Sequence, residues 1–195
     1  MFNEIKNIIE SDNFKIGLSE INKDFFNLKQ EIHIRDLIVK IFNNNNTNTR
    51  KRAFAEYKAQ RKRIDLAIKE ENKAEPCYLC ELKFQFTGDF RNEDDWKKIL
   101  DNDFVNPKGQ HQVDLFILIV LEWNDLNKRI EVEKKWHLPP MHNYASNTLE
   151  WEKDIISLPE KNKLGNFFHR NSISLSEDNA TYHFYFLKRE NDDKP

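Results

Sequence analysis

The first 44 residues carry the apolar spacing of amphipathic helices. Ile5, Ile8 and Ile9 begin an apolar stripe at helical intervals. A second helix, predicted to start near Ser19, continues the stripe with Phe25, Phe26, Leu28, Ile32, Leu37, Ile38 and Ile41. The Asn-rich tract 43–48 predicts the end of this helix, because Asn side chains bond to nearby backbone groups and favour turns.

Runs of β-strand character follow the Asn-rich tract. Arg52–Ala59, Arg63–Lys69 and Pro76–Phe86 are predicted to form an antiparallel meander. Residues 92–104, which open with an Asn cap, predict a helix, and the almost wholly apolar run Val113–Glu122 predicts a buried central strand. A helix between two strands is the connection that a crossover onto a mixed sheet requires.

The last third of the chain has a weaker pattern. Arg129–Trp136 alternates, with Ile130 and Val132 on one side, and predicts an edge strand. Phe167–Phe168 and Thr181–Leu187 predict a terminal strand pair. The sequence therefore predicts a single α/β domain, with a central mixed β-sheet, flanking helices and extra C-terminal strands.

Composition excludes two broad classes of protein. With 38% apolar and 33% charged residues, the chain is too apolar for an intrinsically disordered protein and too charged for an integral membrane protein. The longest apolar run, Leu115–Leu121, is far short of a membrane span, and Met1–Ile9 lacks the apolar core of a signal peptide. We therefore expect a soluble, cytoplasmic protein with no membrane partner.

Alternation along the strands brings polar side chains together. In an extended strand, Glu81, Lys83 and Gln85 share one face. On the preceding strand, Asp65 is predicted to lie opposite the apolar set Ile64, Leu66 and Ile68. If these strands pair, Asp65, Glu81 and Lys83 converge. Two close carboxylates repel unless a cation lies between them, and hard oxygen ligands beside a phosphate suit Mg²⁺.

These residues resemble the motif of the PD-(D/E)XK nucleases, the restriction-endonuclease-like superfamily. Asp65 lies in an apolar strand, and Glu81-Leu82-Lys83 lies in the next one. The preceding helix carries Glu31, which looks like the acidic first-helix position of the family. The predicted order of helix, three strands, helix and strand is the family's α-β-β-β-α-β core. The resemblance covers roughly residues 20–122 and leaves residues 123–195 as an unmatched C-terminal elaboration.

The resemblance implies a metal-dependent endodeoxyribonuclease. Asp65 and Glu81, aided by the backbone carbonyl of Leu82, would bind Mg²⁺, for which Mn²⁺ would substitute. Lys83 would position the water that attacks phosphorus. A small standalone nuclease of this kind suits restriction or phage defence, by analogy with the fold alone.

Other positions add to the resemblance or depart from it. Glu31 would act as a second-metal ligand or hold a water, and Glu56 stands where many members have another acid. Gln85 shares the face of Glu81 and, with Glu56, is an accessory candidate. Ile64 stands where the family pattern has proline, at a position that the family keeps loosely.

Basic residues precede and follow the first strand. A cluster beside a metal site would neutralise phosphates, and this predicts contact with duplex DNA. The alternative is a solvated hairpin. The basic candidates are Arg50, Lys51, Arg52, Arg61, Lys62 and Arg63. The apolar C-terminal strands are also compatible with a homodimer.

Alternative interpretations of the same residues remain open at this point. Glu81 and Lys83 would form an ordinary ion pair if the sheet face were solvated, which favours a non-catalytic nucleic-acid-binding or protein-interaction module with a nuclease fold. An RNA-directed or structure-specific repair enzyme would share the chemistry but not the substrate. The tryptophans Trp96, Trp123, Trp136 and Trp151 suit either a platform for unpaired bases or the core.

Overall fold

The computed structural model describes residues 1–59, 62–91, 113–146, 150–161, 168–176 and 179–188. The predicted helix at 92–104 lies outside the described residues. The helices are α1 (Phe2–Glu10), α2 (Asp12–Phe25), α3 (Glu31–Asn45), α4 (Leu126–Trp136) and α5 (Glu150–Lys161). The strands are β1 (Lys51–Ala59), β2 (Lys62–Glu70), β3 (Tyr78–Phe86), β4 (Leu115–Trp123), β5 (Phe168–Leu175) and β6 (Ala180–Lys188). No helix in these ranges is long and apolar enough to cross a membrane.

The amino-terminal helices follow the predicted apolar stripe but divide it differently. The Ser11 hydroxyl accepts a hydrogen bond from the Phe14 backbone N–H at 3.2 Å and so caps α2. The predicted start near Ser19 is therefore wrong, because Phe14 and Leu18 extend the buried stripe back to this earlier cap. The predicted end is confirmed: α3 stops at Asn45, and the Asn46 side chain bonds to the Phe42 carbonyl.

The strands form one mixed sheet within the described residues. Its order is β1-β2-β3-β4-β6-β5. The pairs β1–β2, β2–β3, β4–β6 and β6–β5 are antiparallel, whereas β3 and β4 are parallel. The predicted meander, central strand and terminal strand pair are confirmed, and so is the α/β class with a mixed sheet flanked by helices.

Each face of the sheet carries its own apolar core, and β4 contributes to both. Leu115, Ile117, Ile119 and Leu121 pack with α1, α2 and α3 on the first face. Phe116, Leu118 and Val120 pack on the second face with Trp151 and Ile155 of α5. Because both faces are covered, β4 is a continuous apolar run without alternation.

The predicted edge strand at Arg129–Trp136 is wrong, because this segment is α4. Asp125 caps the helix by accepting a hydrogen bond from the Lys128 backbone N–H at 3.1 Å. Arg129 and Glu133, four residues apart, are buried and joined at 2.7 Å. Side chains four residues apart are neighbours on one face of a helix and can form an ion pair there. In a strand, two side chains at this spacing would be too far apart to pair.

Candidate active site

The strands β2 and β3 separate beside the predicted catalytic residues. Their pairing runs only from Ile68↔Tyr78 to Leu66↔Cys80, whereas β1 and β2 stay paired as far as Ala59↔Lys62. The hairpin of β1 and β2 therefore diverges from β3 beyond Leu66, and β2 does not pair with the edge of β3 from Glu81 onward. We call this splayed region, formed by Asp65 and Glu81–Phe86, the fork.

A break in the hairpin coincides with the fork. Glu56, which stands across from Asp65, has a left-handed backbone with φ of 51°, and the register omits this pair. Beyond the break, Ile64 packs in the core of the second sheet face, although Leu66 packs in the first. The prediction that Ile64 shares a face with Leu66 is therefore wrong, because the regular pairing of the hairpin is interrupted between these two residues.

Carboxylates occupy the edge of β3 that β2 leaves unpaired. Alternate residues of a strand direct their backbone N–H groups to the same edge. The Leu82 N–H donates to Asp65 Oδ2 at 2.8 Å, and the Phe84 N–H donates to Glu31 Oε2 at 2.8 Å. The Phe86 N–H donates to Asp89 Oδ2 at 3.0 Å. These side chains replace the acceptors that a continuing β2 would have supplied.

Two of the predicted catalytic carboxylates come from different sides of the fork. Asp65 approaches from β2, and Glu31 approaches from the first turn of α3. On β3 itself, Glu81 and Gln85 are buried with 6% exposure each, and Lys83 between them is half-buried. The predicted alternation of β3 is confirmed, because Cys80, Leu82 and Phe84 pack in the opposite core.

The electrostatics of Glu31 place it in one cluster with its neighbours. Burial raises the pKa of the Glu31 carboxyl, and the negative charge of Asp65 adds to this rise. The hydrogen bond from Phe84 and the positive charge of Lys83 oppose it. Since Asp65 and Lys83 both act on the Glu31 carboxyl, the fold brings these three predicted residues together.

Lys29 and Asp89 extend the fork and were not predicted. Lys29 Nζ donates to Gln85 Oε1 at 2.9 Å and lies 3.3 Å from Asp89 Oδ2. Both residues lie outside helices and strands of regular length, Lys29 before α3 and Asp89 in the 3-10 turn Thr87–Arg91. An acidic residue in a turn, three residues after the end of a predicted strand, is the sequence feature that could have pointed to Asp89.

Glu56 makes its ion pairs away from the β3 edge. Its carboxylate lies 2.5 Å from Arg35 Nη1 and 3.1 Å from Arg63 Nη1. The Arg35 side chain is only 7% exposed and also contacts Asp36 at 2.9 Å. Glu56 thus ties the bend of the hairpin to α3, a role that positions Asp65 indirectly.

The predicted basic cluster is divided between the two ends of the hairpin. Arg52 pairs with Lys69, and Lys58 pairs with Arg63. Lys58 lies six residues beyond Arg52, which separates these ends by about 20 Å along the strand. Arg50 and Lys51 lie at the first end beside Arg52, and Arg63 is exposed at the other. Arg61 and the side chain of Lys62 lie outside the described residues.

The donor chemistry of the fork fits a hard cation. Among the described residues, Asp65 Oδ1 and Glu31 Oε1 accept no hydrogen bond, so each carboxylate retains one oxygen for a ligand. The Leu82 carbonyl shares an edge with the Leu82 N–H. Within the described ranges, no three His, Cys, Asp or Glu side chains are grouped closely enough to hold a metal ion. Water and substrate oxygens would have to complete the coordination, as is usual for Mg²⁺.

No family model, curated protein or solved structure matches the chain. The candidate site therefore depends on its own geometry: two carboxylates and a lysine at the strand edge that β2 leaves unpaired.

Proposed function

We propose that the protein is a metal-dependent nuclease of the PD-(D/E)XK kind, hydrolysing phosphodiester bonds of DNA at the fork. The convergence of Asp65, Glu31 and Lys83 on the splayed edge of β3 is the observation that carries this proposal. The topology supports it as well, because an antiparallel meander followed by a parallel β4 is what the resemblance implies.

Each residue of the fork would have a separate role in hydrolysis. Asp65 and Glu81, with the Leu82 carbonyl, would hold Mg²⁺, or Mn²⁺ in its place. The ion would supply an activated water and stabilise charge on the phosphate oxygens. Lys83 would orient the attacking water through its ammonium, and Glu31 would accept a hydrogen bond from that water or bind a second ion. Gln85, held by Lys29, would stand beside them.

Contact with DNA is proposed at the hairpin. Arg63 is 77% exposed at the end that projects beyond the fork, so it is available to a phosphate despite its ion pair with Glu56. Arg50, Lys51 and Arg52 would contact a second phosphate about 20 Å away along the same hairpin. The salt dependence of binding would report these contacts.

One observation favours a second candidate, a nucleic-acid-binding module without catalysis. Asp65 and Glu31 already serve as acceptors for the edge of β3, a structural task that needs no metal. Such a module would bind DNA equally well with a chelator and would cleave nothing.

Plasmid cleavage separates the candidates. The purified protein would be incubated with supercoiled plasmid in Mg²⁺, in Mn²⁺ and in chelator, beside Asp65→Asn, Glu81→Gln and Lys83→Met. Glu20→Gln and Lys40→Met, at exposed helix positions, are the matched controls. Metal-dependent nicking that the three fork variants lose and the controls keep supports the nuclease. Absence of cleavage on plasmid, single-stranded, branched and RNA substrates would overturn it.

A further inference from the structure

A cavity separate from the fork lies where α2 and α4 meet the end of β4. Its volume is about 260 Å³. Aromatic and cationic side chains dominate its lining, and no acid is among the described residues that line it. The rings are those of Phe26, Trp123 and Trp136, and the cations are Lys23, Lys128 and Arg129.

Arg129 is the unusual member of this cavity. Its guanidinium carbon lies over two rings, 5.1 Å from the centroid of Phe26 and 4.9 Å from that of Trp123. Nε bonds to Glu133 at 2.7 Å, and Nη1 donates to the Phe26 carbonyl at 3.1 Å. Nη2 is buried and, among the described residues, has no hydrogen-bond partner. A buried cationic donor of this kind calls for an acceptor, and an anionic group would supply one.

Trp136 gives the cavity an exposed aromatic wall. The side chain is 64% exposed, an unusual value for a tryptophan, and Lys135 Nζ lies 5.8 Å from its ring centroid. An exposed ring beside Lys135, in a cavity that Lys128 also lines, suits a planar group that carries a negative charge. A nucleotide has both features, since its base stacks on rings and its phosphate accepts hydrogen bonds from cations.

The cavity adjoins the fork through a shared wall. Trp123 stacks on Phe86 at 5.2 Å, and Phe86 is the residue whose N–H is held by Asp89. Trp123 lies four residues beyond Ile119, the register partner of Phe84, which is about 13 Å along the strand. A strand passing the fork would reach the cavity within a few nucleotides.

We propose that this cavity binds an unpaired nucleotide of single-stranded nucleic acid, with the base against Trp136 and a phosphate on Arg129 and Lys128. The volume is just below the roughly 300–1,000 Å³ of drug-sized ligand pockets, which is large enough for a single base. The binding does not require the fork to be catalytic.

Fluorescence anisotropy with a labelled oligothymidylate, in chelator so that nothing is cleaved, tests the proposal. Trp136→Ala is expected to weaken binding about 5- to 150-fold, as loss of a base-stacking partner does. Lys128→Gln is expected to lower the salt slope of binding by about 0.7, the value for one phosphate contact on a single strand. Ile16→Ala and Lys40→Gln, at exposed positions of α2 and α3, are the controls and should bind like the wild type.

Other outcomes would overturn the assignment. If Ile16→Ala and Trp136→Ala change the affinity for the oligonucleotide equally, the cavity is not part of the binding surface. If thymidine monophosphate binds as tightly as the oligonucleotide, the ligand of the cavity is a free nucleotide and not a nucleic-acid strand. If a duplex binds as tightly, the cavity does not select an unpaired base. Because the assay contains no metal, failure of the nuclease proposal in the plasmid assay leaves these results unchanged.

Discussion

Asp65 Oδ2 accepts a hydrogen bond from the backbone N–H of Leu82 at 2.8 Å, across the point where β2 and β3 separate. The bond lets the two strands diverge without leaving the Leu82 donor unpaired. It also fixes the direction of the carboxylate and keeps Oδ1 for a ligand. Asp65 therefore combines a structural task with a chemical one, and substitutions can separate the two.

Asp65→Asn and Asp65→Ala are expected to differ in stability while sharing a loss of cleavage. The Asn side-chain carbonyl can still accept a hydrogen bond from the Leu82 backbone N–H. Ala leaves this N–H unpaired at a buried residue, since Leu82 is only 3% exposed. We expect Asp65→Ala to lower the free energy of unfolding by about 1–3 kcal/mol. Urea unfolding checks this. An Ala variant as stable as the Asn variant would contradict the structural role of the hydrogen bond.

The stability of the protein should depend on pH through Glu31. Burial raises the pKa of this carboxyl above its ordinary 4.5 in the folded state. The folded state therefore holds the proton of Glu31 more tightly than the unfolded state does. The resulting contribution to the free energy of unfolding is fully present below the ordinary pKa and is lost as pH rises through the raised pKa. Glu31→Gln keeps an acceptor for Phe84 and carries no charge, so it escapes this loss.

Urea unfolding over a pH series would measure this difference. The free energy of unfolding of the wild type should fall relative to that of Glu31→Gln as pH rises from about 4.5. Glu20→Gln, at an exposed position of α2, controls for the removal of one carboxylate. The same trend in Glu20→Gln would show that burial of Glu31 is not the cause.

Metal binding at the fork should be visible without any substrate. A ligand that binds only the folded state stabilises it, by about 2.7 kcal/mol at a concentration 100 times its Kd. We expect Mg²⁺ to raise the Tm of the wild type relative to chelator, and Asp65→Asn combined with Glu81→Gln to abolish the rise. An equal rise in the double variant would place the ion elsewhere.

Lys83→Met should separate turnover from binding. The Met side chain preserves most of the apolar stem and removes the ammonium that acts on Glu31. We expect cleavage to fall about 10²- to 10³-fold, the usual cost of losing one positioned hydrogen-bond donor at the reacting centre. DNA affinity in chelator should stay at the wild-type value. Cleavage at the level of Lys40→Met would exclude the assigned role of Lys83.

The sequence pattern predicted the parts of this fold that depend on burial. The apolar run of β4 and the alternation of β3 both follow from which faces the sheet covers, so Glu81, Lys83 and Gln85 were placed correctly on one face. Periodicity cannot reveal where a paired strand departs from its neighbour. The left-handed backbone of Glu56 and the switch of Ile64 to the other core arise from that departure.

Two misplaced segments show the same limit. The alternation of Ile130 and Val132 predicts a strand, but the buried side chains are those of Arg129 and Glu133. Their burial depends on tertiary packing, which the pattern of apolar residues does not show. The basic residues around β1 are close in sequence, yet an antiparallel hairpin carries Arg52 and Arg63 to opposite ends.

The pair Arg129–Glu133 yields the last prediction. Both side chains are at most 5% exposed, and Glu133 also accepts from the His142 backbone N–H at 3.1 Å and contacts His142 Nδ1 at 2.5 Å. Glu133→Ala would leave the Arg129 charge buried beside the cavity, and removing one partner of a buried pair lowers stability by about 3–5 kcal/mol. Glu131→Ala, exposed on the same helix, should stay within about 0.5 kcal/mol of the wild type. Urea unfolding of both variants measures the difference. If Glu133→Ala unfolds at the same urea concentration as Glu131→Ala, the buried pair does not hold α4 against the sheet.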